Sequence, residues 1–192
     1  YTRVWPMKLM LYCDIPAETG GATPLCCNRS FTKNLPKDLF EKFAQKGVKY
    51  VRNYQEGVDV PWQNVFQTES KSEVEDYCNK NGLKWEWLDD DWLRTSQIAQ
   101  GAAILPVTKD LLWCNQSHLF HYTSMAPEVQ EALLSIYDED ELPRNTYYGD
   151  GTPIEKETLD IIRNTYDKEE IQIPWQKGDI ALVDNMLYHH GR

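Results

Sequence analysis

Four histidines are the only imidazoles in this 192-residue chain: His118, His121, His189 and His190. The first two lie in NQSHLFHY. Two histidines three apart on a helix can offer two nitrogens to zinc, but no glutamate base or third ligand follows at the spacing such sites use. They read as structural, or as hydrogen-bonding support. The second pair closes GDIALVDNMLYHHGR, where a strand leaves a Gly-Asp turn, runs apolar and delivers a histidine just before a glycine. By itself the pattern suits a half-buried histidine at a strand end as well as it suits a metal ligand. Near the start, DIPAETGGATPL sets Gly20-Gly21 ahead of Thr23. A glycine pair lets backbone come close to a ligand, and a threonine hydroxyl can donate to a carboxylate. Alone, however, Gly-Gly is first a turn signal.

Periodicity indicates the elements that carry these residues. Residues 7–13 (MKLMLYC) form an apolar run after Pro6 and read as a buried strand, followed by a turn-rich loop over 14–23. Residues 35–46 read as a helix with Leu39, Phe40 and Phe43 on one face and Gly47 as its stop, and 48–54 (VKYVRNY) as a strand. Ser70 and Glu73 form a capping box for a helix that turns Val74, Tyr77 and Cys78 inward and ends at Asn81-Gly82. Strands are expected at 83–88, 92–98, 102–107 and 111–115. Residues 127–137 read as a helix grouping Val129, Ala132, Leu133 and Ile136, and a Thr152/Glu155 capping box opens another, to about Tyr166. Strands at 170–175 and 179–183 are joined by a Lys177-Gly178 turn, and the acidic stretches 89–91 and 138–141 read as solvated turns. Strands in groups with helices between them, and no regular alternation, argue against a doubly wound sheet. A mainly β fold with inserted helices, a sandwich or jelly roll, fits better. Strands 7–13, 48–54, 111–115, 170–175 and 179–183 are expected to share one core.

Composition narrows the function. At 41% hydrophobic, 192 residues suffice for one domain with a real core. A net charge of -10 and a pI of about 4.9 argue against nucleic acid and anionic membrane surfaces as partners. No apolar run approaches the roughly 20 residues of a spanning helix, and no signal-peptide pattern is visible. Five cysteines, two of them adjacent and none in CxxC, suit reduced thiols in a cytoplasmic protein better than a disulfide framework or a zinc site.

Taken together, YTRVWPMKLMLYCDIPAETGGATPL, the central LRTSQIAQGAAILPVTKDLLWCNQSHLFH, and TPIEKETLDIIRNTYDKEEIQIPWQKGDIALVDNMLYHHGR resemble the taurine dioxygenase family, and within it the clavaminate synthase-like members. The resemblance spans essentially the whole chain and is sharpest in GGAT and the closing phrase. It implies a double-stranded β-helix (jelly roll) binding Fe(II) and using 2-oxoglutarate as co-substrate. His190 matches the distal metal-binding histidine, and Thr23 the threonine that binds the co-substrate carboxylate; the two should then lie within about 10 Å of each other across a cavity, with His190 pointing inward and His189 away. The family's first histidine and carboxylate would fall before Tyr1 and its co-substrate arginine after Arg192; Arg192 itself matches a nearer arginine and is not given that role. Residues 1–192 are thus expected to be a single catalytic domain cut at both ends, inactive by itself, with no other catalytic residue assigned. The implied reaction is hydroxylation of an unactivated C–H in a small, amino-acid-like substrate, free or tethered to a carrier protein, with succinate and CO2 released. Arg94, Trp113, Asn115 and Gln116 are substrate-side candidates; a surface ion pair for Arg94 and loop-backbone bonds for the amides are equally open. The alternatives are a halogenase of the same family, a non-catalytic small-ligand jelly roll, and a zinc protein built on His118, His121 and His190.

Overall fold

The segment VKYVRNY forms strand β3 (Val48–Tyr54), as its β-branched and aromatic content favours. In the computed structural model, which describes residues 5–55, 59–88 and 91–191, the chain divides into two compact units. One comprises Lys46–Ala99 and Asn115–Lys156. There β3 lies inside a four-stranded antiparallel sheet, in the order β4 (Lys84–Trp87), β5 (Leu93–Ala99), β3, β8 (Arg144–Tyr148). It is buried on both faces, with Val48 and Tyr50 on one and Val51 on the other.

Helix α4 (Lys71–Asn81) packs on this sheet. Ser70 caps it by accepting from the Glu73 amide, and Gly82, at φ 68°, ends it in the left-handed conformation glycine tolerates. Val74 and Cys78, one turn apart, join Tyr54, Trp62 and Leu93 in the core. Tyr77 does not: it is 53% exposed, rotated off that stripe. The expected stripe at 127–137 is also unburied. Helix α6 (Pro127–Leu134) has no buried residue, and Ile136 is 71% exposed. A 3.6-residue pattern says which side chains share a face, not that the face has a partner. The acidic residues 89 and 90 lie outside the described residues.

The other unit contains the described residues up to Gln45, Gln100–Cys114, and those from Glu157 onward. Its aromatic centre sets Trp113, fully buried on β7 (Leu111–Trp113), against Phe43 of α2 (Lys37–Lys46) at 4.8 Å and Phe31 of α1 (Asn28–Asn34) at 5.9 Å. Gly101 is required beside it, since a Cβ there would lie 2.0 Å from the Phe43 carbonyl oxygen. Helix α7 (Lys156–Glu169) buries Leu159, Ile162 and Thr165. It runs past Tyr166, and Thr152 does not help to cap it. The Thr152 amide and hydroxyl both bond Asp150 Oδ1, at 3.0 and 2.6 Å, and the Glu155 carboxylate accepts from the Tyr148 hydroxyl. An acceptor two residues away outcompetes a helix end.

Three small sheets complete this unit: β1 (Lys8–Tyr12) with β10 (Ile180–Asp184), β6 (Ala102–Ile104) with β7, and β2 (Thr23–Cys27) between β11 (Tyr188–His190) and β9 (Glu170–Ile173). Strand β1 was expected to be buried, yet Met10 and Tyr12 are 73% and 61% exposed. The turn at Gly178 exists, but β9 and β10 do not pair across it; Pro174, lacking an amide donor, follows β9 directly. The five strands expected in one core are therefore divided, β3 in the first unit and the others in the second. Alternation identifies strands but not their partners. Every named pairing is antiparallel, and no closed barrel is seen among the described residues. Among them, too, no helix is long and apolar enough to cross a membrane.

The distribution of burial has a direct consequence. Leu93→Ala, at a fully buried position, is expected to destabilise the protein by roughly 2–5 kcal/mol. Ile136→Ala should change stability by less than about 0.5 kcal/mol. Urea unfolding followed by circular dichroism compares the two.

Candidate functional site

Strand β2 is bonded on both edges, and its registers determine which side chains share a face. His190 lies opposite Leu25 and His189 opposite Cys26; on the other edge, Thr23 lies opposite Ile173 and Leu25 opposite Ile171. Directly opposed residues project to the same side, and so do residues two apart on one strand. Thr23, Leu25, His190, Ile171 and Ile173 therefore share one face. Thr23 and His190, near opposite ends of the chain, are diagonal neighbours there, a relation that places residues about 7–8 Å apart, their Cβ atoms somewhat closer.

The entry to β2 explains the glycine pair. Gly20 and Gly21 both adopt positive φ, 68° and 74°, and a Cβ on Gly21 would lie 2.6 Å from the Ala17 Cβ. The pair turns the chain sharply into β2. Thr23 is half-buried, and its Oγ1 accepts a hydrogen bond from the Trp175 indole N–H at 2.8 Å. Beyond β11, the Gly191 amide donates to the Pro24 carbonyl.

The two histidines of the closing phrase face opposite sides, as strand neighbours must, but with the reverse parity to that expected. His189 turns inward. Its Nδ1 lies 2.7 Å from the Tyr166 hydroxyl, its ring meets Phe31 edge-on at 5.5 Å, and it is hydrogen-bonded to the Trp113 backbone. Burial lowers its pKa from 6.5 to about 4, against the opposing pull of the Trp113 bond, so the ring is neutral at neutral pH. His190 is exposed. The reason is that α1 and α7 supply Phe31 and Tyr166 beneath β11, and that aromatic floor takes His189. His190 is left on the Thr23 face with its ring unenclosed.

The remaining candidates fall to structural duties. His121 caps the turn after α5 (Ser117–Phe120), with Nδ1 2.9 Å from the Thr123 hydroxyl and accepting from the Thr123 amide. His118 is buried within α5. Arg94 donates to Asn53 Oδ1 and to the Asp140 carbonyl. Asn115 Oδ1 accepts from the Ser117 backbone amide and Trp113 is enclosed, whereas Gln116 is exposed and only its backbone N–H is used, donating to the Tyr50 hydroxyl. All five cysteines are free. Burial, reinforced by nearby carboxylates, raises the Cys26 thiol to about 12 and the Cys78 thiol to about 11, which keeps both protonated. Among the described residues no group of three or more His, Cys, Asp or Glu could hold a metal ion. That leaves the zinc reading without support. The same residues fit an iron centre only in part, with one imidazole and a hydroxyl on a common face. Arg192 lies outside the described residues.

Two participants were not apparent from sequence: Trp175, bonded to Thr23, and Asn28, whose amide donates to the Trp113 and Met186 carbonyls and ties α1 to β7 and to the approach to β11. The available signal for Trp175 was chemical, since an indole N–H in a half-buried position needs an acceptor.

The whole chain, residues 1–192, matches the family described as Taurine catabolism dioxygenase TauD, TfdA family, and belongs to it. It is 42% identical over 192 residues to the dapdiamide synthesis protein DdaC of Enterobacter agglomerans, covering all of this chain and 58% of that protein. It is 28% identical over 201 residues to a clavaminate synthase-like protein of Arabidopsis thaliana, covering 99% of this chain and 57% of that one. The chain thus spans less than two thirds of the length of either relative.

The adjacent histidines should respond differently to truncation. His189→Ala removes a half-buried ring and the bonds it makes, and is expected to lower stability by about 1–3 kcal/mol. His190→Ala, at an exposed strand end, should leave stability within about 0.5 kcal/mol. Thermal unfolding of both variants reads the difference.

Proposed function

We propose that residues 1–192 belong to one jelly-roll catalytic domain of an Fe(II)- and 2-oxoglutarate-dependent oxygenase. It hydroxylates an unactivated C–H bond of a small, amino-acid-like substrate, free or carrier-tethered. One observation carries the reading: Thr23 and His190, which the family phrases single out at opposite ends of the chain, are diagonal neighbours on one face of one sheet. Family membership supports the chemistry. The relative named for dapdiamide synthesis supports a small-molecule substrate.

Bound iron and 2-oxoglutarate supply a coupled oxidation, in which co-substrate decarboxylation to succinate and CO2 accompanies oxygenation of the substrate. This chain's residues supply geometry. His190 offers an imidazole nitrogen to the metal, its strand held from behind by His189. Thr23 donates its hydroxyl proton to a carboxylate oxygen of the co-substrate, a charge-assisted bond stronger than a neutral one. Leu25 and Ile173 flank that bond with hydrocarbon, which excludes water and strengthens it.

In the intact protein, Fe(II), 2-oxoglutarate and O2 should release succinate when a suitable substrate is present, across a panel of free amino acids and carrier-bound aminoacyl groups. His190→Ala should abolish the release. Failure of the wild type over the whole panel would favour a binding module instead, and a chlorinated product in the presence of chloride would favour a halogenase. The isolated 192-residue chain, with one ligand, should not bind Fe(II) stoichiometrically in an anaerobic titration.

A further inference from the structure

We propose that Trp175 is a positioning residue for Thr23, holding the hydroxyl so that its single proton points at the co-substrate carboxylate. This rests on the reading of Thr23 given above. A threonine hydroxyl has one proton and two lone pairs, whereas an indole N–H is a donor only. With Trp175 Nε1 2.8 Å from Thr23 Oγ1, one lone pair is occupied and the proton remains uncommitted to that contact. A hydroxyl that accepts a hydrogen bond is also polarised into a better donor. The contact therefore favours the one orientation and polarity useful to an anion. Were the tryptophan absent, the hydroxyl could rotate and spend its proton on water or backbone.

The placement of Trp175 is itself built. Ile173 is the register partner of Thr23, and Trp175, two residues on, continues along the same side of the chain. Pro174 restricts the backbone between them. On the far side the Gln176 amide donates to Asp179 Oδ2 at 2.8 Å, closing the turn through Gly178. Because the segment is fastened at both ends, the half-buried indole returns to the start of β2, a long way back in the sequence.

The test is a double-mutant cycle in the intact iron-loaded protein, with anaerobic calorimetry of 2-oxoglutarate binding and with KM values for both substrates. Trp175→Phe keeps the ring and removes the N–H. It is expected to weaken 2-oxoglutarate binding about three- to tenfold, the worth of one hydrogen bond, and to raise the KM for 2-oxoglutarate but not for the oxidised substrate. Thr23→Ala should weaken binding at least as much, and adding Trp175→Phe to it should cost nothing more. Equal KM rises for both substrates, or additive losses in the cycle, would reduce Trp175 to a structural residue while leaving Thr23 in place. Unaltered 2-oxoglutarate affinity in Thr23→Ala would instead overturn the reading of Thr23, and this proposal with it. Should Trp175→Phe not fold, Trp175→His, which keeps a ring N–H, takes its place: retained affinity supports the proposal, and an additive loss with Thr23→Ala overturns it.

Discussion

The site depends on the two-sided backbone ladder of β2. A central antiparallel strand must satisfy its donors and acceptors on both edges, and here the partners are β11 and β9, both from the C-terminal part of the chain. That obligation joins an early loop to a late strand end, with a fixed register on each side. A proline inside such a strand would ordinarily cost a ladder bond. Pro24 is tolerated because an antiparallel residue directs its amide and carbonyl to the same edge, and its carbonyl meets Gly191, just past the end of β11. The missing donor falls where the ladder is already ending. Gly191 accommodates the same proline: a Cβ there would stand 2.9 Å from the Pro24 ring.

The adjacent histidines show how one strand divides labour. His189 is neutral and packed among Phe31, Tyr166 and the Trp113 backbone. Burying an imidazole is unfavourable unless its polar atoms are bonded, and here they are. The result is a fastening between β11, α1, α7 and β7. His190, one residue on, makes no comparable commitment and keeps its ring available. In the proposed role a metal-binding His190 would need a rigid backbone and an accessible nitrogen, and the pair would provide the two properties separately.

In the other unit, polar residues that look chemically interesting are consumed by structure. Asn53, 1% exposed, donates to the carbonyls of Asp140 and Leu142 and accepts from Arg94, so the loop after α6 is bound to the sheet through side chains. Asn145 and Thr146 extend this network along β8, and the Thr146 hydroxyl donates to the Ser117 carbonyl. Buried polar groups of this kind must be satisfied completely, which leaves them little capacity to bind a substrate.

Sequence alone determined the local elements whose signals are local. Alternation located β3, the serine cap and terminal glycine bounded α4, and the two phrases around Thr23 and His190 carried the family. Strands β2, β8 and β11 were not separately legible, because short runs such as TPLCC and YHH carry too few residues for a period to show. Only the tertiary structure decided which strands pair and which histidine faces inward. Strand parity says that neighbours oppose each other, but not which side is occupied; the aromatic rings of α1 and α7 settled that for His189. The Trp175–Thr23 bond joins residues far apart in sequence, so no spacing within one segment could announce it. Periodicity is a property of one stretch of chain, whereas partnership depends on what folding brings against it.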